Sequence, residues 1–426
     1  MSIERQARGS VRHNIRASIL NGSFTMISTG IIGTFVPLYL IDALHASNQE
    51  IALLNSLPAV VSMAASVAGL MLIPHLLRFK RFTILNIAVT RLSYVLLALI
   101  PWFGVAWSSA LTVDLVALGN FPQSLGTLGW QALIAQLIPE RLRAGFFSQR
   151  NVLITLVGLI ATAITGGLLQ VFNPHWLWPY QMLFILAGGF GAAEVYYLAK
   201  HQEQRGSSPP HLTVPRVRIG PLLRQRDFVR YTLVAAFFNF GWQLSWPLFT
   251  IYQIKDARAT GLWLGLFTVA AQIGQIATFR WWGRQSVRAG GLRTLALAGA
   301  GVATVPWLTM LSTNLWYLTA VNLESGIFLS GVTLLLFTQL LAQIPPQDRP
   351  HYIAAYNVIL GAIAFLAPEF GVWCLSWLNL TDTMILSSVW RLAGAALFMA
   401  LAIGPGALTE LRFLGWRSMH RLMNHR

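Results

Sequence analysis

Two stretches of the sequence decide its fold: IPERLRAGFFSQRN, from Ile138 to Asn151, and IPPQDRPHYIAAYN, from Ile344 to Asn357. Both begin with Ile-Pro and end with Asn, and they match in between at an arginine and at an aromatic residue, with a constant offset of 206 residues. Each stretch follows a long apolar segment and leads into another one. Since the same basic loop recurs at the same place among apolar segments, the sequence predicts a duplicated unit.

The composition indicates that this unit lies in a membrane. Hydrophobic residues make up 55% of the 426 residues and charged residues 10%, whereas a soluble domain has roughly 25% charged residues. A chain with so few charges cannot cover a water-facing surface. Its charged residues also gather in short clusters between apolar segments of about 20 residues, the length that crosses a bilayer as a helix. We therefore expect a polytopic, all-α integral membrane protein.

The apolar segments predict twelve membrane-spanning helices, six before and six after a polar stretch. We place them at residues 17–41, 51–74, 82–102, 109–138, 152–172, 177–199, 229–252, 261–283, 292–311, 315–344, 352–377 and 383–404. The stretch from Lys200 to Phe228 is rich in Pro and Arg and has no apolar period. This pattern predicts a six-helix bundle at 1–199, a linker at 200–228, a second six-helix bundle at 229–404 and a tail at 405–426. A second echo pairs Pro37 with Pro247.

The net charge of +16 reports topology rather than a nucleic-acid partner. If successive loops alternate sides, 26 of the 30 Lys and Arg residues fall on one face, and the opposite face holds only Lys255 and Arg258. Because loops rich in Lys and Arg stay in the cytoplasm, both termini are expected there. We expect the lipid bilayer of a bacterial cytoplasmic membrane as the surroundings, no nucleic acid, and a monomer.

The sequence lacks the short motifs of enzymes. It contains no G-x-x-x-x-G-K-[ST], no H-E-x-x-H, no G-x-S-x-G and no Gly-rich dinucleotide turn. Cys374 is the only cysteine, and all nine histidines fall in predicted loops or at helix ends. We therefore expect no metal site, no cofactor and no enzymatic activity.

The duplicated loop resembles a loop of the major facilitator superfamily, and the resemblance covers nearly the whole chain. That family's loop between helices 4 and 5 has Pro, an acidic residue, Arg-Gly and a later Arg, and its loop between helices 2 and 3 reads G-x-L-x-D-R-x-G-R-R. The matching positions are Pro139, Glu140, Arg143, Gly145, Arg150, the repeated Arg349, and Gly283, Arg288, Gly290 and Arg293. Val287 stands where the second motif has Asp. The resemblance implies two six-helix halves, with helices 1, 4, 7 and 10 lining a central cavity, and transport driven by a gradient.

Polar side chains at helical spacing predict where a substrate would bind. They form stripes on helices 4 and 7, with further ones on helices 1 and 8, and an amide facing lipid would lack a partner. The predicted cavity residues are Asn21, Asn120, Ser124, Gln131, Asn239, Trp242, Gln243, Trp246, Gln272 and Gln275. The alternative is that these stripes merely pack helices together.

Charged residues within the spans are stronger signals, because each costs about 2.5 to 3.5 kcal/mol at a helix centre. Arg91 in helix 3 and Asp114 in helix 4 lie at similar depths and predict a structural ion pair. Glu324 in helix 10 is the first candidate to bind a coupling proton or a cationic group, followed by Glu369 and Asp114. Structural hydrogen bonding is the alternative for these carboxylates. Glu194, near the end of helix 6, is expected to reach water.

These features predict a gradient-driven transporter that moves a small molecule, together with protons in one version, by alternating access. Proton-coupled efflux is one form of this function. A lipid-moving protein and a non-transporting receptor of the same fold are the alternatives. Neither the substrate nor the direction of transport follows from the sequence.

Overall fold

The computed structural model describes residues 2–72, 78–138, 140–202, 225–344 and 349–423. Side chains are described in these ranges except at 2–10, 70, 105–106, 135, 140–145, 148, 349–351 and 404–423. The long helices are α1 (Ser2–Leu38), α2 (Asn48–Leu72), α3 (Phe79–Leu97), α4 (Val105–Leu137), α5 (Glu140–Leu169), α6 (Leu177–Ala199), α7 (Arg226–Leu244), α8 (Gly261–Ala289), α9 (Gly291–Met310), α10 (Leu315–Ala342), α11 (Arg349–Cys374) and α12 (Leu380–Met423). A short helix, Trp246–Ile251, follows α7.

The apolar segments mark the membrane but not the ends of the helices. Within the described ranges, eight helices are long and apolar enough to cross a bilayer. The first begins at Ser2 rather than at residue 17, and the last continues to Met423, through most of the predicted tail. Both extensions are charged, and a helix satisfies its own backbone groups in water as well as in lipid. Hydropathy therefore finds the span, whereas backbone hydrogen bonding sets the helix length.

The helical segments ending at Ala43 and Asp256 share one local structure. Each ends in a π-helical turn, Tyr39–Ala43 and Tyr252–Asp256, followed by one residue at positive φ, His45 and Arg258. The equivalent residues are 213 positions apart, so Tyr39 corresponds to Tyr252. Pro37 and Pro247 are 210 positions apart, an offset that differs from that of the tyrosines by three residues, and their predicted equivalence stays a prediction. A π turn is rare and specific enough to fix this register.

By contacts the chain divides into two compact units, each built from several segments. The first comprises Met1–Pro215 with Trp246–Val269 and Ala364–Trp373, and the second comprises Arg216–Ser245, Ala270–Ile363 and Cys374–Arg426. In the first unit α1 packs against α5 and α6, α3 packs against α4 and α6, and α2 packs against α4. In the second unit α12 packs against α7 and α9, and α9 packs against α10. The domain limits at 199, 228 and 404 stay a prediction.

Glycines let helices in each unit approach closely. In the second unit, a Cβ added to Gly326 of α10 would lie 1.9 Å from the carbonyl oxygen of Ala271 in α8. In the first unit, a Cβ on Gly191 of α6 would lie 2.5 Å from Cγ of Arg91 in α3. Small residues at such crossings are what membrane helices use in place of a hydrophobic driving force. In the second case the space admits a charged side chain.

A buried histidine lies just after α6, where hydrogen bonds connect α1, α3 and the residues that follow α6. His201, 1% exposed, lies just after α6 and its Nδ1 is 3.0 Å from the carbonyl oxygen of Leu198. Lys80 of α3 donates from Nζ to the carbonyl oxygen of His201 at 2.8 Å, and Asn14 of α1 exchanges two hydrogen bonds with Gln202. Burial lowers the pKa of His201, and the nearby charge of Lys80 lowers it further.

Candidate functional site

A buried ion pair lies at the centre of the first unit. Arg91 of α3 donates from Nε to Oε2 of Glu194 at 2.7 Å and from Nη2 to Oε1 at 3.2 Å, so α3 and α6 are joined by two parallel bonds. The third guanidinium nitrogen, Nη1, donates to the hydroxyl of Tyr94 at 2.8 Å. The side chains of Arg91 and Glu194 are 3% and 4% exposed. Such geometry satisfies every nitrogen of the arginine, which is the condition for burying a charge.

This pair corrects two predictions from the sequence. Arg91 pairs with Glu194 rather than with Asp114, which is exposed on α4, and Glu194 is buried rather than in contact with water. From the sequence, the depth of a residue in the membrane can be compared only between consecutive helices such as α3 and α4. Helix α3 also packs against α6, where Gly191 leaves room for the stem of Arg91.

A cavity of about 200 Å³ lies beside the ion pair. Five helices of the first unit contribute to it: α1, α3, α4, α5 and α6. Its polar lining residues are Asn21, Thr25, Thr83, Gln123, Thr127, Trp130, Arg150 and Glu194. Asn21 lines this cavity within the first unit, and its Nδ2 donates to the backbone carbonyl of Glu194 at 3.1 Å. Its predicted place in a central substrate cavity stays a prediction.

Arg150 is the cation of this cavity that has no ion-paired acid among the residues with described side chains. Its Nε donates to the carbonyl oxygen of Ser18 at 3.2 Å, and its guanidinium carbon lies 4.4 Å from the ring centroid of Trp130. A Cβ on Gly22 would lie 2.5 Å from its Nη2, so this glycine lets the guanidinium lie against α1. Three contacts thus fix the side chain of Arg150: the carbonyl oxygen of Ser18, the ring of Trp130 and the surface of α1 at Gly22. In the described part of the chain, Nη1 and Nη2 have no hydrogen-bond acceptor.

The polar stripes of α4 and α7 satisfy part of their hydrogen bonding within their own helices. Asn120 donates to the carbonyl oxygen of Val116, and Asn239 donates to that of Ala235, each at 2.8 Å. An Asn side chain can donate to the backbone carbonyl four residues earlier in its own helix. An Asn that is bonded in this way is therefore compatible with an apolar face of the helix. Asn239 is buried and Gln131 is exposed. The prediction that both stripes face one cavity stays a prediction.

The other predicted cavity residues are spread over both units. Trp242 is half-buried in α7, and its carbonyl oxygen accepts a hydrogen bond from Arg391 at 3.0 Å. Trp246, at the start of the short helix, is 50% exposed. The half-buried residues are Ser124, Gln243, Gln272 and Gln275. Their assignment to a substrate site stays a prediction.

Of the three carboxylates predicted as coupling candidates, Asp114 is exposed, and Glu324 and Glu369 have different surroundings. Glu324 of α10 accepts a hydrogen bond from the hydroxyl of Thr304 of α9 at Oε1, at 2.8 Å, whereas its Oε2 is buried and has no partner among the described residues. Glu369 of α11 accepts at Oε1 from the hydroxyl of Ser56 of α2 at 2.6 Å, within the first unit. Glu324 therefore keeps one oxygen available for a proton or a ligand.

In the second unit, the buried arginine Arg391 of α12 binds backbone atoms of its neighbours. Its Nη1 donates to the carbonyl oxygen of Val302 at 2.9 Å, its Nε donates to that of Gly241 at 3.3 Å, and its Nη2 also donates to the hydroxyl of Ser245. The residue is 1% exposed. It links α12 with α7 and α9, which is a structural task.

The motif residues of the repeated loops are described only in part. The side chains of Arg143, Gly145 and Arg349 lie outside the described residues. Gly290 has a φ of +89°, which explains a glycine between α8 and α9. Gly283 and the exposed Arg288 line a surface cleft together with Arg280 and Arg284.

Sequence reasoning missed the cavity because no single helix reveals it. Trp130 was not singled out, and Arg150 was assigned only to a loop motif. One signal was available: Gln123, Thr127 and Trp130 follow one another at spacings of four and three, which places them on one face of α4.

Comparisons with known proteins agree with this architecture. A search of curated proteins finds no match. Among solved structures, a bacterial homologue of the human lysosomal transporter Spinster, in an inward-facing and occupied conformation, matches with a TM-score of 0.61 at 15% identity, over 90% of this chain and 95% of that one. The nucleoside transporter NupG matches with a TM-score of 0.71 at 11% identity, over 91% of this chain and 98% of that one. At such identities these structures show the fold alone.

The family model decides the membership of the chain. The model described as Major Facilitator Superfamily matches residues 19–368, which run from the second half of α1 through α10 and most of α11. The match therefore spans both contact units and the cavity with Arg150. On this evidence the protein is an integral membrane protein that belongs to the Major Facilitator Superfamily.

Proposed function

We propose that this chain is a gradient-driven secondary transporter that moves a small molecule by alternating access. The match to the Major Facilitator Superfamily over residues 19–368 carries the proposal. A cavity of about 200 Å³ with a fixed arginine supports it, because a mainly apolar lining with a few oriented polar groups is typical of small-molecule sites. The names of the similar structures give no substrate for this chain.

We also propose that transport is coupled to protons and that Glu324 is the coupling residue. One carboxylate oxygen is bonded to Thr304, and the other is buried without a partner in the described part of the chain. A proton on Oε2 would remove the charge from this environment, and its release would restore it. Glu369 is less suited to this role, because its Oε1 also accepts a hydroxyl hydrogen bond but it has no buried oxygen without a partner among the described residues. Export is the direction that we propose.

Reconstitution tests the transport function. The purified protein is placed in liposomes that contain a pH-sensitive dye, an inward or outward pH gradient is imposed, and a panel of small neutral and charged solutes is added. We expect at least one solute to drive proton movement and to be concentrated against its own gradient. A panel that produces neither effect, in both orientations of the gradient, would contradict the proposal.

A matched pair of variants tests the coupling residue. Glu324→Gln keeps the size of the side chain but cannot carry a proton, so concentrative transport and its pH dependence should be lost while exchange of substrate persists. Glu369→Gln makes the same chemical change in α11 and should keep both properties. If Glu324→Gln retains pH-dependent accumulation, the assignment to Glu324 is wrong.

A further inference from the structure

The charges around the cavity of the first unit do not balance. Two guanidinium groups, Arg91 and Arg150, lie close to one carboxylate, Glu194, which acts electrostatically on Arg150. Both oxygens of that carboxylate are bonded to Arg91. Among the described residues, the site therefore has one positive charge in excess, and it is located on Arg150. A partly buried excess charge is stabilised by a counter-ion, which can be supplied by a ligand.

The guanidinium of Arg150 is oriented before any ligand binds. Ser18 holds its Nε, and the ring of Trp130 covers one of its faces. What remains is the edge with Nη1 and with Nη2, which lies beside Gly22, and the described part of the chain offers no acceptor for either nitrogen. Two parallel N–H groups on a fixed plane match the two oxygens of a carboxylate. Little conformational entropy would be lost on binding, because the side chain is already held.

Two further polar atoms at the cavity are buried without partners in the described residues. They are Nε1 of Trp130, which can only donate, and Oε1 of Gln123, which can only accept. Each belongs to a residue that lines the cavity. Leaving such groups unsatisfied costs about 1 to 3 kcal/mol each, so a ligand with a carboxylate oxygen and a nearby hydrogen-bond donor would bring what both atoms lack.

The size of the cavity limits what it can hold. A volume of about 200 Å³ is smaller than the roughly 300 to 1,000 Å³ typical of sites for whole drug-sized ligands. It accommodates a head group and the atoms next to it. The rest of a larger ligand would have to lie outside the cavity lining.

From these observations we infer that the cavity between Arg150, Trp130 and Gln123 binds the carboxylate head of an organic monoanion. The inference names the substrate class of the transporter proposed above and rests on that proposal. A neutral molecule of the same shape would leave the charge of Arg150 without a counter-ion. The site therefore selects acids over their amides.

Ligand-dependent thermal stabilisation of the purified full chain tests this inference. The probes are acid and amide pairs, namely benzoate with benzamide, pentanoate with pentanamide, and lactate with lactamide, together with inorganic sulfate and phosphate. We expect at least one acid to raise the melting temperature while its amide does not. No stabilisation by any acid, or equal stabilisation by acid and amide, would overturn the inference. Stabilisation by sulfate or phosphate alone would overturn the assignment to a carboxylate.

Variants locate the binding. Arg150→Gln should weaken binding of the acid at least about 30-fold, since it removes one partner of a charge-assisted pair. Arg150→Lys keeps the charge without the planar edge and should bind with intermediate strength, which provides a test if Arg150→Gln does not fold. The matched control is Arg280→Gln, which removes an exposed cation of α8 outside this cavity and should bind like the wild type. Unchanged binding by both Arg150 variants would overturn the inference.

The binding and transport measurements separate the two proposals. If an acid binds through Arg150 but is never moved across liposomes, the carboxylate-binding site stands, whereas the transport function and the role of the acid as its substrate fail. If a neutral solute is transported equally well by wild type and Arg150→Gln, the transport function stands and the inference fails.

Discussion

The ion pair between Arg91 and Glu194 allows a quantitative test of how the first unit is held together. The changes are Arg91→Met and Glu194→Leu, singly and together. In either single variant one charged group loses its partner and stays buried, since the side chains of Arg91 and Glu194 are 3% and 4% exposed. In the double variant two apolar side chains of similar volume fill the same space between α3 and α6.

The expected magnitudes follow from burial and geometry. Removing one partner of a buried pair costs about 3 to 5 kcal/mol, because the remaining charge is uncompensated, whereas apolar replacement of both partners is often neutral. Glu194→Leu deprives Arg91 of two bonds but leaves the one to Tyr94, so we expect it near the lower end of that range. The double variant should cost less than about 2 kcal/mol, which gives a coupling free energy of at least about 4 kcal/mol.

The assay is reversible unfolding of the purified protein in mixed micelles, followed by circular dichroism, for all four proteins of the cycle. The control cycle combines Arg91→Met with Asp114→Asn, which should be additive within about 0.5 kcal/mol because Asp114 is exposed on α4. A double variant Arg91→Met/Glu194→Leu that is as unstable as the sum of its single variants would refute the reasoning.

Three further predictions concern packing and pH. Gly326→Ala should destabilise the second unit by about 1 to 3 kcal/mol, since its Cβ would meet the backbone of Ala271, whereas Gly33→Ala, with open space around it, should be neutral or stabilising in the same unfolding assay. Gly191→Ala should destabilise by a similar amount by displacing Arg91, and the loss should shrink in Arg91→Ala, which removes the Cγ and Cδ atoms that the new Cβ would meet. Because burial in the folded state lowers the pKa of His201, the unfolded state binds more protons, and stability should fall as the pH drops below about 6.5. In His201→Asn the slope of melting temperature against pH should be smaller. An unchanged slope would contradict the assignment of this pH dependence to His201.

Much of the protein's class was predictable from composition and short motifs. A content of 10% charged residues, with apolar segments of bilayer length, determines an integral membrane protein, because each such segment must satisfy its backbone as a helix. The loop motifs with Arg150 and Gly290 indicated the family that the comparison over residues 19–368 then showed. These properties are local or compositional, so they can be read without knowing which helices touch.

The partner of each buried group was decided only by the tertiary structure. Arg91 could be compared in depth with Asp114 on the next helix, but its bond to Glu194 depends on the packing of α3 against α6 and on the space that Gly191 leaves there. In the same way, the guanidinium of Arg150 in α5 lies over the ring of Trp130 in α4, a contact that depends on how these two helices pack. The spacing of polar and apolar residues in a sequence predicts which residues share one face of a helix. Which faces meet depends on packing among all helices at once, and in a membrane this packing is directed by small residues and polar contacts rather than by a hydrophobic pattern.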